Sequence, residues 1–139
     1  MIHIIRNTLG ILLGIAFISI GILHFVNPEP FNSIVPSYLG WPEFWNYSSG
    51  LLEIILGVGI IISKTRKNAA RLLVVLVLLV SLANINMWMN DLPFNGTRMS
   101  QTGHLIRALI QCVLIAILLW LGETIGSKPS KPHHDIEPA

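Results

Sequence analysis

Charge is what this sequence has least of. Acidic and basic residues fill 12% of its 139 positions, about half of the roughly 25% typical of soluble domains. So few charges cannot cover a water-facing surface, and a soluble fold is excluded. Cysteine is nearly absent as well. Cys112 stands alone, which rules out an internal disulfide and any Cys-x-x-Cys redox pair, and it reads as a small apolar filler. Flavin and nucleotide fingerprints are missing too. The net charge of +2 belongs to connections between apolar blocks, so no nucleic-acid surface is expected. His133 and His134, adjacent in a polar tail, make a poor ligand set, and no metal site is expected.

What the chain has in abundance is apolar sequence. Hydrophobic residues make up 53% of it, and the mean hydropathy is +0.67. They gather in four blocks, Leu9–Val26, Phe44–Ser63, Ala69–Met89 and Leu105–Leu121. About 20 residues at 1.5 Å rise cross a ~30 Å hydrocarbon core. The sequence therefore predicts an all-α integral membrane domain over residues 1–122, with spans at about 7–26, 44–63, 69–90 and 103–122. Short links favour an antiparallel up-down-up-down bundle. The first block is read as a span: it outruns a signal-peptide core and leads into "HFVNPEP", which offers no small-x-small cleavage site. Residues 123–139 read as a polar, proline-rich, disordered tail.

Lysine and arginine set the expected orientation. Arg6 precedes the first span, Lys64, Arg66, Lys67 and Arg71 separate the second from the third, and Lys128 and Lys131 follow the fourth. The other two connections hold only Arg98, with Glu29, Glu43 and Asp91. The positive-inside rule then places both termini in the cytoplasm.

Small residues mark packing faces. The first span carries Gly10-x-x-x-Gly14 and Gly21, and the second carries Gly50 and Gly57 with Glu53 between them on one face. The Gly10/Gly14 face also suits a homodimer contact. The first external connection, "NPEPFNSIVPSYLGWPEFW", reads as a segment lying in the outer interface. Phe31, Tyr38, Trp41 and Trp45 form either an aromatic belt or a lid.

Polar residues from all four spans reach a common outer level. Glu53 lies about 12 Å inside Trp45, Asn84 about 9 Å inside the end of the third span, and His104, Arg107 and Gln111 descend one face of the fourth. His24 and Asn86 lie nearer the boundary. Ionisable groups in membrane face the bundle interior and pair. Two arrangements fit: a Glu53–Arg107 bridge with Asn84 and Gln111 around it, or a protonated Glu53 bonded to Asn84 with Arg107 reaching outward. Such a layer serves either as a register device or as the lining of a pocket for a flat amphipathic molecule such as a quinone, with His24 and His104 bonding its carbonyl oxygens. A bis-histidine haem is disfavoured, since only these two histidines lie in membrane.

These residues resemble the DoxX family of small four-helix membrane proteins over roughly residues 7 to 120. The resemblance rests on Gly21-x-x-His24-Phe25, Pro28, Phe31-x-x-Ile34-Val35-Pro36, Ser49-Gly50-x-x-Glu53-x-x-x-Gly57, the run Ala83-Asn84-Ile85-Asn86-Met87, and Arg107-x-x-x-Gln111. Ser81-Leu82 stands where such proteins often have Phe-Pro, and Leu109 where a proline often follows the arginine, so straighter third and fourth helices are expected. The resemblance implies a bacterial inner-membrane protein. Some relatives are associated with sulfur-compound oxidation feeding quinones, others with membrane oxidoreductase assemblies. The expected role is a quinone-binding or anchoring subunit with protein partners, rather than a self-sufficient oxidoreductase. A structural scaffold is the alternative. A transporter is disfavoured because the inner half offers no polar path.

Overall fold

The structure, a computed structural model, describes residues 1–125. The expected tail, with Lys128, Lys131, His133 and His134, lies outside the described residues apart from its first three positions. Among the described residues there are five α-helices: α1 (Ile2–Val26), α2 (Glu29–Asn32), α3 (Pro42–Ile61), α4 (Arg66–Met89) and α5 (Gln101–Leu121), with a 3-10 turn at Ser37–Leu39. Four of them, α1, α3, α4 and α5, are long and apolar enough to cross a membrane.

Helix limits follow from local chemistry. Pro28 and Pro30 stop α1 and open the single turn of α2. Pro42 sits at the first position of α3, where its missing N–H costs nothing, and Trp41 before it takes a left-handed turn at φ 41°. At the start of α5 the Ser100 hydroxyl accepts the Gly103 N–H at 3.1 Å. All four long helices begin earlier than hydropathy predicts, α3 and α5 by two residues, α4 at Arg66 rather than near 69 and α1 at Ile2 rather than near 7. Apolar content marks where the hydrocarbon begins. A helix has no reason to stop there, since its backbone bonds are internal.

Helices adjacent in sequence are adjacent in space: α3 packs on α1, α4 on α3 and α5 on α4, with the α1–α3 contact by far the most extensive. The apolar core, including Phe17, Ile60, Leu73, Val77, Leu118 and Leu121, gathers around the start of α4 and the end of α5. Polar staples hold the same end. Arg6 pairs with Glu123 at 3.2 Å and bonds the Leu121 carbonyl, Lys67 pairs with Glu123 at 2.9 Å, and Arg71 bonds the Gly122 carbonyl. The guanidinium of Arg66 is buried; it donates to the Ile60 and Ile61 carbonyls and to Asn7 Oδ1, so it caps the end of α3 and ties it to α1. One end of the protein is therefore well packed and cross-braced. The polar residues singled out from the sequence lie toward the other.

Candidate functional site

Two matching stripes build the site. The buried residues of α1 are Gly10, Gly14, Phe17, Gly21 and His24; those of α3 are Asn46, Gly50, Glu53, Gly57 and Ile60. Both advance by alternating steps of four and three, which keeps each set on one helix face. The glycines bring the backbones into contact. A methyl group on Gly21 would lie 2.6 Å from the Gly50 carbonyl oxygen, and one on Gly57 would lie 2.9 Å from that of Gly14. The Gly10/Gly14 face is thus occupied within the chain by α3. The same seam that pairs glycines carries His24, Asn46 and Glu53 inside the protein, at 5%, 2% and 6% exposure.

These three side chains form a polar row in which His24 and Asn46 are hydrogen-bonded and Glu53 faces the imidazole. Asn46 Nδ2 donates to the His24 carbonyl at 3.2 Å, which fixes the amide's orientation and leaves Asn46 Oδ1 facing His24 Nδ1 at 2.5 Å. The Asn46 carbonyl lies 3.1 Å from the same nitrogen. Both neighbours are acceptors, so Nδ1 carries the hydrogen. His24 Nε2 then points at Glu53 Oε2, 3.6 Å away, and that oxygen has no hydrogen-bond partner among the described residues. At that separation the two groups face each other without a hydrogen bond, and the seam leaves the carboxyl oxygen buried and unbonded among the described residues. The His24 ring also stacks on Phe31, with centroids 3.9 Å apart and planes at 25°.

Beside this row lies an apolar cavity of about 310 Å³. Phe31, Ile34 and Pro36 roof it, Trp45, Ser48 and Leu52 come from α3, and Leu79, Leu82 and Ala83 from α4. Leu52, Leu79 and Leu82 are also exposed on the outside of the helices, so the cavity borders the lipid-facing surface. The connection between α1 and α3 covers it like a lid. Asn86 Nδ2 donates to the Ile34 carbonyl at 3.0 Å, pinning that lid to α4, and Phe94 meets Phe31 edge-on at 5.4 Å. Of the four aromatic residues picked out in the connection, Phe31 and Trp45 line the cavity. Tyr38 and Trp41 do not; they stand outward at 77% and 81% exposure.

The expected Glu53–Arg107 bridge is not formed. Glu53 sits on the α3 face that packs against α1, whereas Arg107 faces α4: its Nη2 donates to Asn84 Oδ1 at 2.6 Å, and its guanidinium lies over the Phe94 ring at 5.7 Å. Nor does Glu53 bond Asn84 in the alternative arrangement. Gln111 reaches the Val77 carbonyl at 3.5 Å, and His104 is buried in a stack on Trp88, with centroids 5.5 Å apart. The two histidines therefore belong to separate aromatic stacks. Expected as one layer, the polar residues fall into two groups, His24 with Glu53 on α1–α3, and Asn84, His104, Arg107 and Gln111 on α4–α5.

Asn46 was not among the residues singled out, although it organises the first group. Its signal is its place in the 46-50-53-57 stripe, which continues the glycine face by one further step. The hydrogen-bonding role expected of His24 also changes, because Nδ1 is committed to Asn46 and Nε2 points at Glu53 in the helix seam. His24 offers the cavity its ring, while the Ser48 hydroxyl, half-buried and without a hydrogen-bond partner among the described residues, is the polar group left open.

A family model described as "Domain of unknown function (DUF8561)" matches residues 13–122. The chain belongs to that family. No curated protein and no solved structure matches it.

Proposed function

We propose that this DUF8561 member binds a small, flat, mostly apolar molecule of the quinone type in the cavity beneath the α1–α3 connection. The observation that carries this reading is the cavity itself. About 310 Å³ is at the lower end of the ~300–1,000 Å³ range of ligand sites. Its walls are apolar apart from Asn46, His24, Ser48 and Ser49, a composition that favours a ring with one or two hydrogen-bonding atoms over a sugar or a charged metabolite. Its border on exposed leucines suits entry from the bilayer. The stack of His24 on Phe31 provides a wall with the geometry that a second flat ring can extend.

In this reading the four long helices run up, down, up, down across a bacterial inner membrane. Arg6, Lys67, Arg71 and Glu123 lie together at the cytoplasmic end, and the cavity lies in the outer half. The protein is a ligand-binding or anchoring subunit of a membrane oxidoreductase system of the DoxX kind, working beside a partner that carries electrons. The rival reading, a scaffold in which the polar seam only fixes helix register, draws support from the fact that most of the polar atoms bond within the protein.

Purification in a mild detergent, followed by mass spectrometry of the bound small molecules and an absorption spectrum, separates the two. A quinone-type absorber that co-purifies and bleaches on reduction supports ligand binding. A protein that carries none, and that takes up none when a short-chain quinone is added, supports the scaffold.

A further inference from the structure

The α4–α5 group lies apart from the cavity and carries a charge that no acidic side chain among the described residues balances. Arg107 is half-buried in the outer part of α5. A guanidinium keeps its proton at any pH a protein meets, and of its five N–H donors only the Nη2 bond to Asn84 is accounted for, at 2.6 Å. The carboxylates that could answer it are committed or elsewhere. Glu53 faces His24, Asp91 is held by Arg98 at 2.6 Å, and Glu123 sits at the far end with Arg6 and Lys67. Glu29 and Glu43 line a separate polar basin with Asn27 and Asn95. Among the described residues Arg107 thus has no anionic partner. The amide hydrogens of Asn84 are also open, because Arg107 uses only its oxygen.

Placement narrows what can supply the anion. Arg107 lies six residues inside Gln101, about 9 Å along the axis, and helical side chains tilt toward the N-terminus. The charge therefore sits a few ångströms below the outer boundary. Around it Leu105, Ile106, Leu109 and Ile110 are exposed to lipid. Phe94 covers the guanidinium on one side, and Asn84 holds it at the level of α4 instead of letting it extend to water. An unpaired cation at this depth is costly, and the anion always present there is the phosphodiester of a lipid headgroup. A planar fork suits phosphate, and an adjacent amide supplies a further donor.

We propose that Arg107 and Asn84 form a binding site for the headgroup phosphate of an anionic phospholipid in the outer leaflet, in the groove between α4 and α5. A net-anionic headgroup is favoured over a zwitterionic one, since among the described residues no acidic side chain stands beside Arg107 to receive a headgroup amine. The site is independent of the cavity and of the quinone reading.

The test is native mass spectrometry of the protein in dodecyl maltoside, titrated with phosphatidylglycerol and, separately, with phosphatidylcholine. The wild type is expected to retain one phosphatidylglycerol at least about tenfold more tightly than any phosphatidylcholine. That preference is lost in Arg107→Gln, partly kept in Arg107→Lys, and unchanged in Lys64→Gln at the opposite end of the protein. Equal retention by Arg107→Gln overturns the site, as does a wild type that does not distinguish the two lipids. If Arg107→Gln does not fold, Asn84→Ala decides: a severalfold loss of the preference supports the site, and no loss overturns it.

Discussion

Alanine at Gly50 perturbs the α1–α3 seam where backbone contact and the polar row meet. The added methyl would lie 2.5 Å from His24 Cβ and 3.0 Å from the Gly21 carbonyl oxygen. Carbon atoms rest at about 3.5–4.0 Å, so roughly 1 Å must be found. Neither neighbour can swing aside, one being the first atom of a side chain and the other backbone. Overpacking of this kind costs about 1–3 kcal/mol, and alanine's better helix propensity returns up to ~1 kcal/mol. The net loss is about 1–2 kcal/mol, a factor of roughly 5–30 in the folded-to-unfolded ratio. Separation of the helices at this level also pulls His24 from Asn46 and Phe31, so the cavity wall is disturbed as well. The assay is unfolding by sodium dodecyl sulfate in dodecyl maltoside micelles, followed by circular dichroism. Gly103→Ala is the comparison: there the methyl meets Met99 Cγ, part of a flexible side chain that can turn away. The reasoning predicts a clear loss for Gly50→Ala and a change within about 0.5 kcal/mol for Gly103→Ala, the range of ordinary surface substitutions. Equal stability of Gly50→Ala and wild type, or equal losses in both variants, would refute it.

Three further outcomes are expected. Asn46→Leu orphans the His24 carbonyl, at about 1–3 kcal/mol, leaves His24 Nδ1–H only the backbone carbonyl of residue 46, and lowers the thermal midpoint; an unchanged midpoint would show that the row contributes nothing. Arg66→Gln strips the cap from the Ile60 and Ile61 carbonyls, at about 1.5–3 kcal/mol per charge-assisted bond, and Arg66→Lys fails to restore it because a compact ammonium cannot span all three acceptors; full restoration by lysine would contradict that geometry. At the exposed end of the protein, the hydrogen bond and charge of Lys67, aided by Arg6, hold the Glu123 carboxyl below its ordinary value of 4.5. A lowered folded-state value stabilises above the unfolded one and is lost as pH falls through the folded one. Melting curves of the wild type should therefore decline from about pH 4.5 downward more steeply than those of Glu123→Gln, and parallel curves would count against the staple.

Much of the architecture could be read from the sequence because the membrane imposes it. Four apolar blocks of spanning length leave an all-helical domain as the available solution, and the blocks correspond to α1, α3, α4 and α5. The depths of Glu53, Asn84 and Arg107 could be counted in residues, which is why a shared level toward one end of the helices was legible. Which way each faces was not. Opposite charge favoured Glu53 with Arg107, but the glycine stripes dominate: they draw α3 onto α1, and Glu53 travels with its stripe toward His24. Residue spacing reports a face without naming the helix that covers it. That also explains how Asn46 escaped notice, being one residue from Trp45 and outside any obvious motif, and why Tyr38 and Trp41 could not be told apart from Phe31 and Trp45. The lid's attachment through Asn86 to the Ile34 carbonyl depends on a backbone atom, which no side-chain pattern signals.

The central claim is that a flat ligand lodges against Trp45 under the lid. A variant with Trp41, Trp88 and Trp120 replaced by phenylalanine leaves Trp45 as the single tryptophan, and a short-chain quinone titrated into it in nanodiscs reports occupancy by quenching. The account predicts saturable quenching at one equivalent, abolished when Ala83→Phe fills the cavity. Quenching that only tracks the quinone's concentration in the bilayer, and is the same with Ala83→Phe, would contradict it.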